Sequence, residues 1–358
     1  GEKVIILIDE YDAPIINAFD KGYYNEAINF FQTFYSSALK TNNSLKYGVL
    51  TGITRIIKEG IFSGLNNIET YTVLDDHYSD AFGFTEKEVE KAVREYGLKD
   101  EIGEVKKWYN GYKFGNFEIY NPWSILKYLK NGKTESYWIN TASDLTILRL
   151  LKEANESMFD GLLNIFNGKS SIQSINVSSE MNNMQNSQEI WQLMLFSGYL
   201  TIDKKIDEYT YSLKLPNYEV KSFFKEKFLE YNYTENKSLF KKMINALLLK
   251  DIDKYAELLQ KILLNSMSYH DGAKEEKFYH NLILGMLLYL DSEYSIKSNI
   301  EEGYGRTDVL MFPLNKLKPG FIFEFKVSET DDNKSMEKAA DEALNQMHQY
   351  IQEKQYSD

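Results

Sequence analysis

The chain has 358 residues, 43% hydrophobic and 26% charged, which suits a folded protein of two or three domains and excludes a disordered or fibrous one. It contains no cysteine, so disulfides, thiolate catalysis and cysteine-ligated zinc are excluded. A formal charge of −12 argues against a broad basic surface for sequence-independent nucleic-acid binding, while a local groove remains compatible with it.

No apolar run approaches the roughly 18–20 residues that span a bilayer, and no signal segment opens the chain, so no membrane partner is expected and a reducing cytoplasm is the expected compartment. Gly1 stands almost directly against a strand and no initiator methionine precedes it. The chain is therefore expected to begin inside a longer protein.

In chain order, Val4 to Ile8 is an uninterrupted apolar run, as for a strand buried on both faces of a parallel sheet. It ends at Asp9-Glu10, followed by Tyr11-Asp12-Ala13-Pro14. Ligands of open α/β sheets sit at the carboxyl ends of strands, where acids can hold Mg²⁺ and polarise a water toward a γ-phosphate. An acidic turn after a strand gives the same pattern. A second strand, Tyr47 to Leu50, runs into Thr51-Gly52-Ile53-Thr54-Arg55, a polar end that could meet a phosphate or simply cap a loop. Phe84-Thr85-Glu86-Lys87-Glu88-Val89 is a helix start, with Thr85 and Glu88 spaced as a capping box and Phe84 and Val89 as a staple.

A phosphate-binding loop needs G-x-x-x-x-G-K-[ST] between a strand and a helix. Gly132-Lys133-Thr134 has Lys127 at the first glycine position and Gly168-Lys169-Ser170 has Leu163 there, and both read as helix C-caps. ATP hydrolysis is accordingly not expected of this chain. The strings Ile8-Asp9-Glu10-Tyr11-Asp12-Ala13-Pro14, Thr51-Gly52-Ile53, Phe62-Ser63-Gly64-Leu65-Asn66-Asn67 and Phe82-Gly83-Phe84-Thr85 resemble the bacterial AAA-ATPase-like family. Trp108-Tyr109-Asn110-Gly111-Tyr112 and Tyr120-Asn121-Pro122-Trp123-Ser124 extend the resemblance over roughly the first 140 residues. It implies that Asp9 and Glu10 are the Walker B pair, Asp9 toward the metal and Glu10 toward the attacking water, with Thr51 beside the nucleotide. ATP would then be a cofactor of the intact protein only, since the family's phosphate loop lies upstream.

From Ser143 to about Glu235 the pattern is helical with one break. Trp191 to Tyr199 reads as a helix, and Leu200 to Ile206 pairs with Tyr209 to Leu215 as a hairpin whose Tyr209, Tyr211, Leu213 and Leu215 share one face. A further helix follows Pro216. Helix, hairpin and helix are compatible with a winged-helix unit. The lysines between Lys221 and Lys242 are interleaved with Glu226, Glu230 and Glu235, as on solvated helix faces.

Glu275 to Leu290 reads as a helix that sets Glu276 and His280 on one side. His280 suits a local hydrogen bond better than a functional role. A strand from Tyr294 to Ile300 leads through Gly303-Tyr304-Gly305-Arg306-Thr307-Asp308 into a second, Val309 to Phe312, and a turn at Leu314 to Pro319. The third strand, Phe321 to Val327, carries Glu324 and Lys326 on one face and Phe325 on the other. A helix bearing Gln346 follows. Metal-assisted phosphodiester cleavage needs carboxylates converging on a hard cation and a positive group beside the water and the developing charge. Asp308 and Glu324 supply the first and Lys326 the second, and the Phe325 carbonyl could add a ligand. A surface Glu324–Lys326 ion pair is the plainer alternative, but the strand is otherwise apolar, and charges there are costly unless paired or metal-bound.

The order of acid-bearing helix, Gly305-Arg306-Thr307-Asp308, Glu324-Phe325-Lys326 and a helix with Gln346 resembles the PD-(D/E)xK nuclease superfamily over roughly Glu275 to Tyr350. Glu276-Lys277-Phe278-Tyr279-His280 narrows the resemblance to the nuclease-like domain that follows the ATPase family above. It implies Mg²⁺ or Mn²⁺ on Asp308 and Glu324, a catalytic Lys326, and supporting Glu276 and Gln346. One further strand is expected beyond Asp358.

The expected fold is a multidomain α/β protein. A partial P-loop ATPase-type parallel sheet occupies 1–85, a helical lid-like region 86–142, a helical and winged-helix-like region 143–235, and a PD-(D/E)xK restriction-endonuclease-like domain with preceding helices 236–358. The expected function is a Mg²⁺-dependent nuclease coupled to the ATPase, acting on DNA or RNA, with a homo-oligomer as a further expected partner state. The alternative is an ATP-responsive switch or scaffold whose nuclease-like domain only binds.

Overall fold

A computed structural model of the chain describes residues 2–40, 42–53, 68–98, 102–138, 156–176, 187–228, 237–266, 285–286, 289–290, 293–302, 305–326, 330 and 332–355. It is a mixed α/β protein with small sheets. Two compact units are formed, one from Gly1–Leu150 with Ser170–Val220 and one from Leu151–Lys169 with Lys221–Asp358.

The first unit opens with β1 (Val4–Ile8), α1 (Ala13–Asp20), α2 (Tyr24–Leu39) and β2 (Leu45–Leu50). β1 and β2 pair in parallel, Ile5 with Tyr47 through Ile8 with Leu50. Side chains alternate along a strand, so Ile6 and Ile8 turn to one face and pack against Tyr11, Ile15, Tyr35 and Leu39 of the helical layer. Ile5 and Leu7 turn to the other face with Tyr47 and Val49, and all four are exposed. The apolar run reads as doubly buried, but with two strands and helices on one side it is half-buried on one face and exposed on the other.

β3 (Phe84–Thr85) leads into α3 (Glu86–Glu95), where the Glu88 carboxylate accepts from the Thr85 N–H, the Glu half of the expected capping box, and also from the Thr85 hydroxyl. Next come α4 (Ile102–Tyr109), β4 (Tyr112–Phe114), β5 (Phe117–Tyr120) and α5 (Pro122–Asn131). The three strands form an antiparallel sheet ordered β3-β5-β4. Val89, Val93, Val105, Tyr109, Tyr120, Ile125, Tyr128 and Leu129 make one buried cluster between these elements. Gly111 is required at the turn after α4: its φ is +108°, and a Cβ there would stand 2.0 Å from the carbonyl oxygen of Pro216.

The predicted hairpin forms as β7 (Thr201–Lys205) and β8 (Thr210–Lys214), after a helix spanning Ser187–Phe196. A third strand, β6 (Ser171–Ser174), pairs with β8 on its other side. Sequence reading misses it, because four residues with a single apolar side chain carry no period. Gly132 and Gly168 both take positive φ after a helix, as the C-cap reading requires. Glu219 is buried without a cation among the described residues. Its Oε2 accepts from the Ser124 hydroxyl at 2.8 Å, and its Oε1 accepts from the N–H groups of Tyr137 at 2.6 Å and Trp138 at 2.9 Å. One carboxylate thus fastens α5 to the segment that follows it.

The second unit contains α6 (Glu156–Phe166), whereas α7 (Ser187–Phe196) belongs to the first unit and α8 (Tyr218–Phe223) runs across the boundary in sequence. Two helices, α9 (Lys237–Leu248) and α10 (Ile252–Ser266), pack on one another. The same unit holds an antiparallel sheet ordered β11-β10-β9, from β9 (Tyr294–Glu302), β10 (Gly305–Pro313) and β11 (Phe321–Phe323), and Tyr255 of α10 meets the Phe323 ring. The long helix α11 (Asn333–Gln355) packs on β10. On the free edge of β9, the Asn167 side chain donates to the Ile296 carbonyl and accepts from its N–H, standing in for a neighbouring strand. Among the described residues no helix is long and apolar enough to cross a membrane.

Candidate functional site

The C-terminal constellation is set by the β10–β11 register. Val309 pairs with Phe323, Leu310 with Ile322 and Met311 with Phe321, so the next step of the same register places Asp308 across from Glu324. Cross-strand partners share a face, and Val309 and Met311 are buried on the opposite one. Phe321, Phe323 and Phe325 stack along that apolar face, with successive ring centroids 6.5 Å apart. The alternation continues past the last ladder pair, since β11 ends at Phe323, earlier than the Val327 expected from sequence. The three rings are half-buried, where the apolar run suggested full burial.

Each carboxylate is held by the other strand's backbone. The Phe325 N–H donates to Asp308 Oδ2 at 2.7 Å, and the Asp308 N–H donates to Glu324 Oε2 at 3.2 Å. Glu324 Oε1 receives Lys326 Nζ at 2.8 Å, and the same ammonium donates to Gln346 Oε1 of α11, also at 2.8 Å. The Glu324 side chain is 1% exposed and that of Lys326 is 32% exposed, so a buried anion faces a cation that reaches solvent. Asp308, Glu324, Lys326 and Gln346 are therefore brought into one hydrogen-bonded chain. Phe325 enters through its amide N–H, a role the sequence does not signal. Glu276 and His280 lie outside the described residues.

The donor set suits a hard divalent cation. Mg²⁺ is commonly held by one or two carboxylates, with waters and substrate oxygens completing its shell. Asp308 and Glu324 provide two carboxylates against the single positive charge of Lys326. Among the described residues no group of three or more His, Cys, Asp or Glu side chains is assembled, so any third acidic ligand would come from outside them.

At the other end of the chain, Asp9, Glu10 and Thr51 meet where β1 and β2 finish. The Thr51 hydroxyl donates to Asp9 Oδ1, the Glu10 N–H donates to Thr51 Oγ1 at 3.2 Å, and the Tyr11 N–H donates to the Thr51 carbonyl at 2.9 Å. Glu10 has a φ of +50°, a left-handed conformation uncommon for a side chain of this kind. A Cβ on Gly52 would fall 2.6 Å from the Tyr11 ring and 2.7 Å from Asp12 Oδ1, so only glycine lets β2 pass this close. Beneath the turn, the Tyr35 hydroxyl donates to the Tyr11 carbonyl at 2.9 Å. Burial, with the nearby Asp12 carboxylate, raises the Tyr35 pKa above the usual tyrosine value. Tyr35 was not singled out from sequence, because a tyrosine at helical spacing reads only as core. Arg55 and Phe62-Ser63-Gly64-Leu65-Asn66-Asn67 lie outside the described residues.

Comparison with known proteins matches both ends. Residues 1–62 match the family described as Predicted AAA-ATPase, and residues 274–358 match the PD-(D/E)XK nuclease superfamily. An uncharacterized protein in the vnfD 5' region of Azotobacter chroococcum mcd 1 is 27% identical over 354 residues, covering 92% of this chain. The chain spans 63% of that relative's length. No solved structure matches it.

Proposed function

We propose, for a chain that carries an AAA-ATPase-like N-terminal region and a PD-(D/E)XK nuclease superfamily domain at its C-terminus, that the C-terminal site hydrolyses phosphodiester bonds of nucleic acid with a divalent metal. The observation that carries this reading is Lys326, whose ammonium bridges Glu324 and Gln346 on the face that also bears Asp308. An ammonium has three N–H donors. Two are committed to Glu324 and Gln346, which leaves the third for the attacking water or a phosphate oxygen. Anchoring at both acceptors fixes the charge before substrate arrives, which is what transition-state stabilisation by a preorganised cation requires.

Asp308 and Glu324 would hold Mg²⁺ or Mn²⁺, which when bound supplies Lewis-acid polarisation of the phosphate and offsets its negative charge. The backbone N–H groups of Phe325 and Asp308 each tie up one carboxylate oxygen and so restrict how those side chains can turn. Glu276 is proposed as a supporting acid and Gln346 as the residue that positions Lys326.

In the longer protein, the segment ending in Asp9, Glu10 and Thr51 is proposed as the Walker B side of an ATPase that governs the nuclease, within a P-loop-type parallel sheet. The helix and the β6–β8 strands between the two ends are proposed as a winged-helix-like connector. Calorimetry with Mg²⁺ and Mn²⁺ tests the central reading, on wild type and an Asp308→Ala/Glu324→Ala variant, with cleavage of single- and double-stranded DNA and RNA assayed in parallel. Binding and cleavage lost together in the variant are expected. Metal binding that survives in the variant, or a wild type that neither binds metal nor cleaves, would leave the domain a non-catalytic binding module.

A further inference from the structure

The outward face of α5 sets an exposed tryptophan, Trp123, beside lysines in this acidic protein. Asn121 caps the helix, its Oδ1 accepting from the N–H groups of Trp123 at 2.9 Å and Ser124 at 3.4 Å, with Pro122 at the first helical position. Ser124, Ile125, Tyr128 and Leu129 are buried. At 3.6 residues per turn the opposite side gathers Trp123, Leu126, Lys127 and Lys130 within an arc of roughly 100°. Trp123 is 53% exposed and Leu126 55% exposed. Lys133 follows just past the Gly132 cap and is exposed as well.

Several helix cations elsewhere are matched, although Lys87 of α3 and Lys241 and Lys242 of α9 join no ion pair among the described residues. Lys91 pairs with Glu95, Arg94 with Glu90, Lys106 with Glu86, and Lys254 and Lys261 with Glu257. The segment 122–138 carries Lys127, Lys130 and Lys133 against the single carboxylate Glu135. Among the described residues none of these three lysines joins an ion pair. The indole is held in place despite its exposure: its Nε1–H donates to the Tyr137 carbonyl at 3.0 Å, and Lys127 Nζ lies 4.4 Å from the ring centroid. An exposed aromatic ring that is already oriented loses little freedom when something stacks on it.

We propose that this face of α5 binds a single-stranded nucleic acid, with Trp123 stacking on a base and Lys127, Lys130 and Lys133 meeting the phosphates. The charge sign selects an anion. One indole and one leucine offer far less apolar area than the roughly 1,200–2,000 Å² of a stable protein interface. Stacking requires a base whose face is free, which a duplex does not present, and every unpaired base has one. The inference goes beyond the nuclease reading and does not depend on whether the C-terminal site cleaves.

The test is fluorescence anisotropy of a labelled oligothymidylate titrated with the full chain in EDTA, where metal-dependent cleavage is silent. Lys127→Glu/Lys130→Glu is expected to weaken binding at least about tenfold and to lower the slope of log K against log salt by about 1.4, two phosphate contacts at roughly 0.7 each on a single strand. Trp123→Leu is expected to weaken it about tenfold through lost stacking. Lys87→Glu/Lys91→Glu, a double charge reversal at two exposed positions of α3, controls for net charge and is expected to bind as wild type. Unchanged affinity and slope in the α5 lysine variant would overturn the proposal, and so would equal loss in the α3 control. Competition by inorganic polyphosphate, duplex DNA or anionic phosphatidylserine vesicles as strong as that by oligothymidylate would overturn it too, since none offers a free base. Asp308→Ala/Glu324→Ala separates the two sites: it is expected to lose cleavage and keep the response of binding to the α5 substitutions. Circular dichroism checks folding, and the charge reversal carries the test if Trp123→Leu proves unfolded.

Discussion

Replacing Lys326 by methionine tests structure and chemistry at once. Glu324 is buried, and among the described residues its one cation is Lys326 at 2.8 Å. Removing one partner of a buried ion pair costs about 3–5 kcal/mol because the other charge is stranded, whereas replacing both is often neutral. Lys326 is 32% exposed, so water screens part of the interaction and about 2–3 kcal/mol is the expected local loss in Lys326→Met. Glu324→Gln in the same background removes the stranded charge and keeps an oxygen to accept from the Asp308 N–H. The double variant should return to within about 1 kcal/mol of wild type, a coupling that adjacent residues can show. All four tryptophans, Trp108, Trp123, Trp138 and Trp191, lie in the other compact unit, so their fluorescence is the wrong probe. Hydrogen exchange over peptides spanning 305–326 reads the site directly. Cleavage should be lost in the single and the double variant alike. Equal exchange in all three proteins would mean that the pair is a solvated surface contact, and wild-type cleavage by Lys326→Met would remove the lysine from the chemistry.

Glu219 gives a second contrast. Glu219→Ala strands three donors, each worth about 1–3 kcal/mol when left unsatisfied in the interior, so a loss of at least about 3 kcal/mol is expected in urea unfolding followed by tryptophan fluorescence. Glu219→Gln can keep all three contacts once the Ser124 hydroxyl reverses, and should unfold within about 1 kcal/mol of wild type. Burial raises the Glu219 pKa, opposed by its hydrogen bonds to Trp138, Ser124 and Tyr137. Over the pH window between the unfolded and the raised folded value, the folded chain therefore holds a proton there that the unfolded chain has released. The stability tied to it is present below the ordinary glutamate value of 4.5 and is lost as pH rises through the folded value. Glu219→Gln should flatten that dependence, and an unaltered pH profile would refute the assignment. At the N-terminal turn, Asp9 has a hydroxyl donor and no cation among the described residues. Asp9→Asn should leave nucleotide-free Mg²⁺ binding unchanged in calorimetry, and a lost binding step would place metal at that turn.

The sequence exposes the C-terminal site because its signal is local and periodic. Glu324 and Lys326 are two apart, so alternation alone puts them on one face, and Asp308 follows once the turn at Leu314 to Pro319 makes its strand the neighbour. Gln346 sits on another element, and only the resemblance to a known arrangement pointed to it. The amide N–H of Phe325 could not be read, since a backbone donor carries no residue signature. β1 misled for a different reason. An apolar run states that a strand avoids water, not how many layers surround it, and here Ile5 and Leu7 stay exposed while Ile6 and Ile8 pack. β6 escaped because its pairing with β8 rests on backbone bonds from a stretch with little apolar pattern.

The two acidic strand ends also differ in what holds them. At Asp308 and Glu324 the carboxylates are fixed by backbone N–H groups of a paired strand and by Lys326, itself fixed by Gln346 on α11. The site brings its own positive charge, since the Lys326 ammonium lies 2.8 Å from Glu324. At Asp9 the support is a single hydroxyl from Thr51, in a turn that holds Glu10 at positive φ. Backbone strain of that kind persists where the surroundings over-determine it, and Gly52, Tyr11 and Asp12 do so by close contact. Glu324 and Lys326 lie past the last β10–β11 ladder pair, so side-chain and amide hydrogen bonds hold them rather than the ladder itself. The backbone strain therefore sits at the N-terminal turn, at Glu10, while the C-terminal side chains are held by hydrogen bonds from two strand ends and a helix.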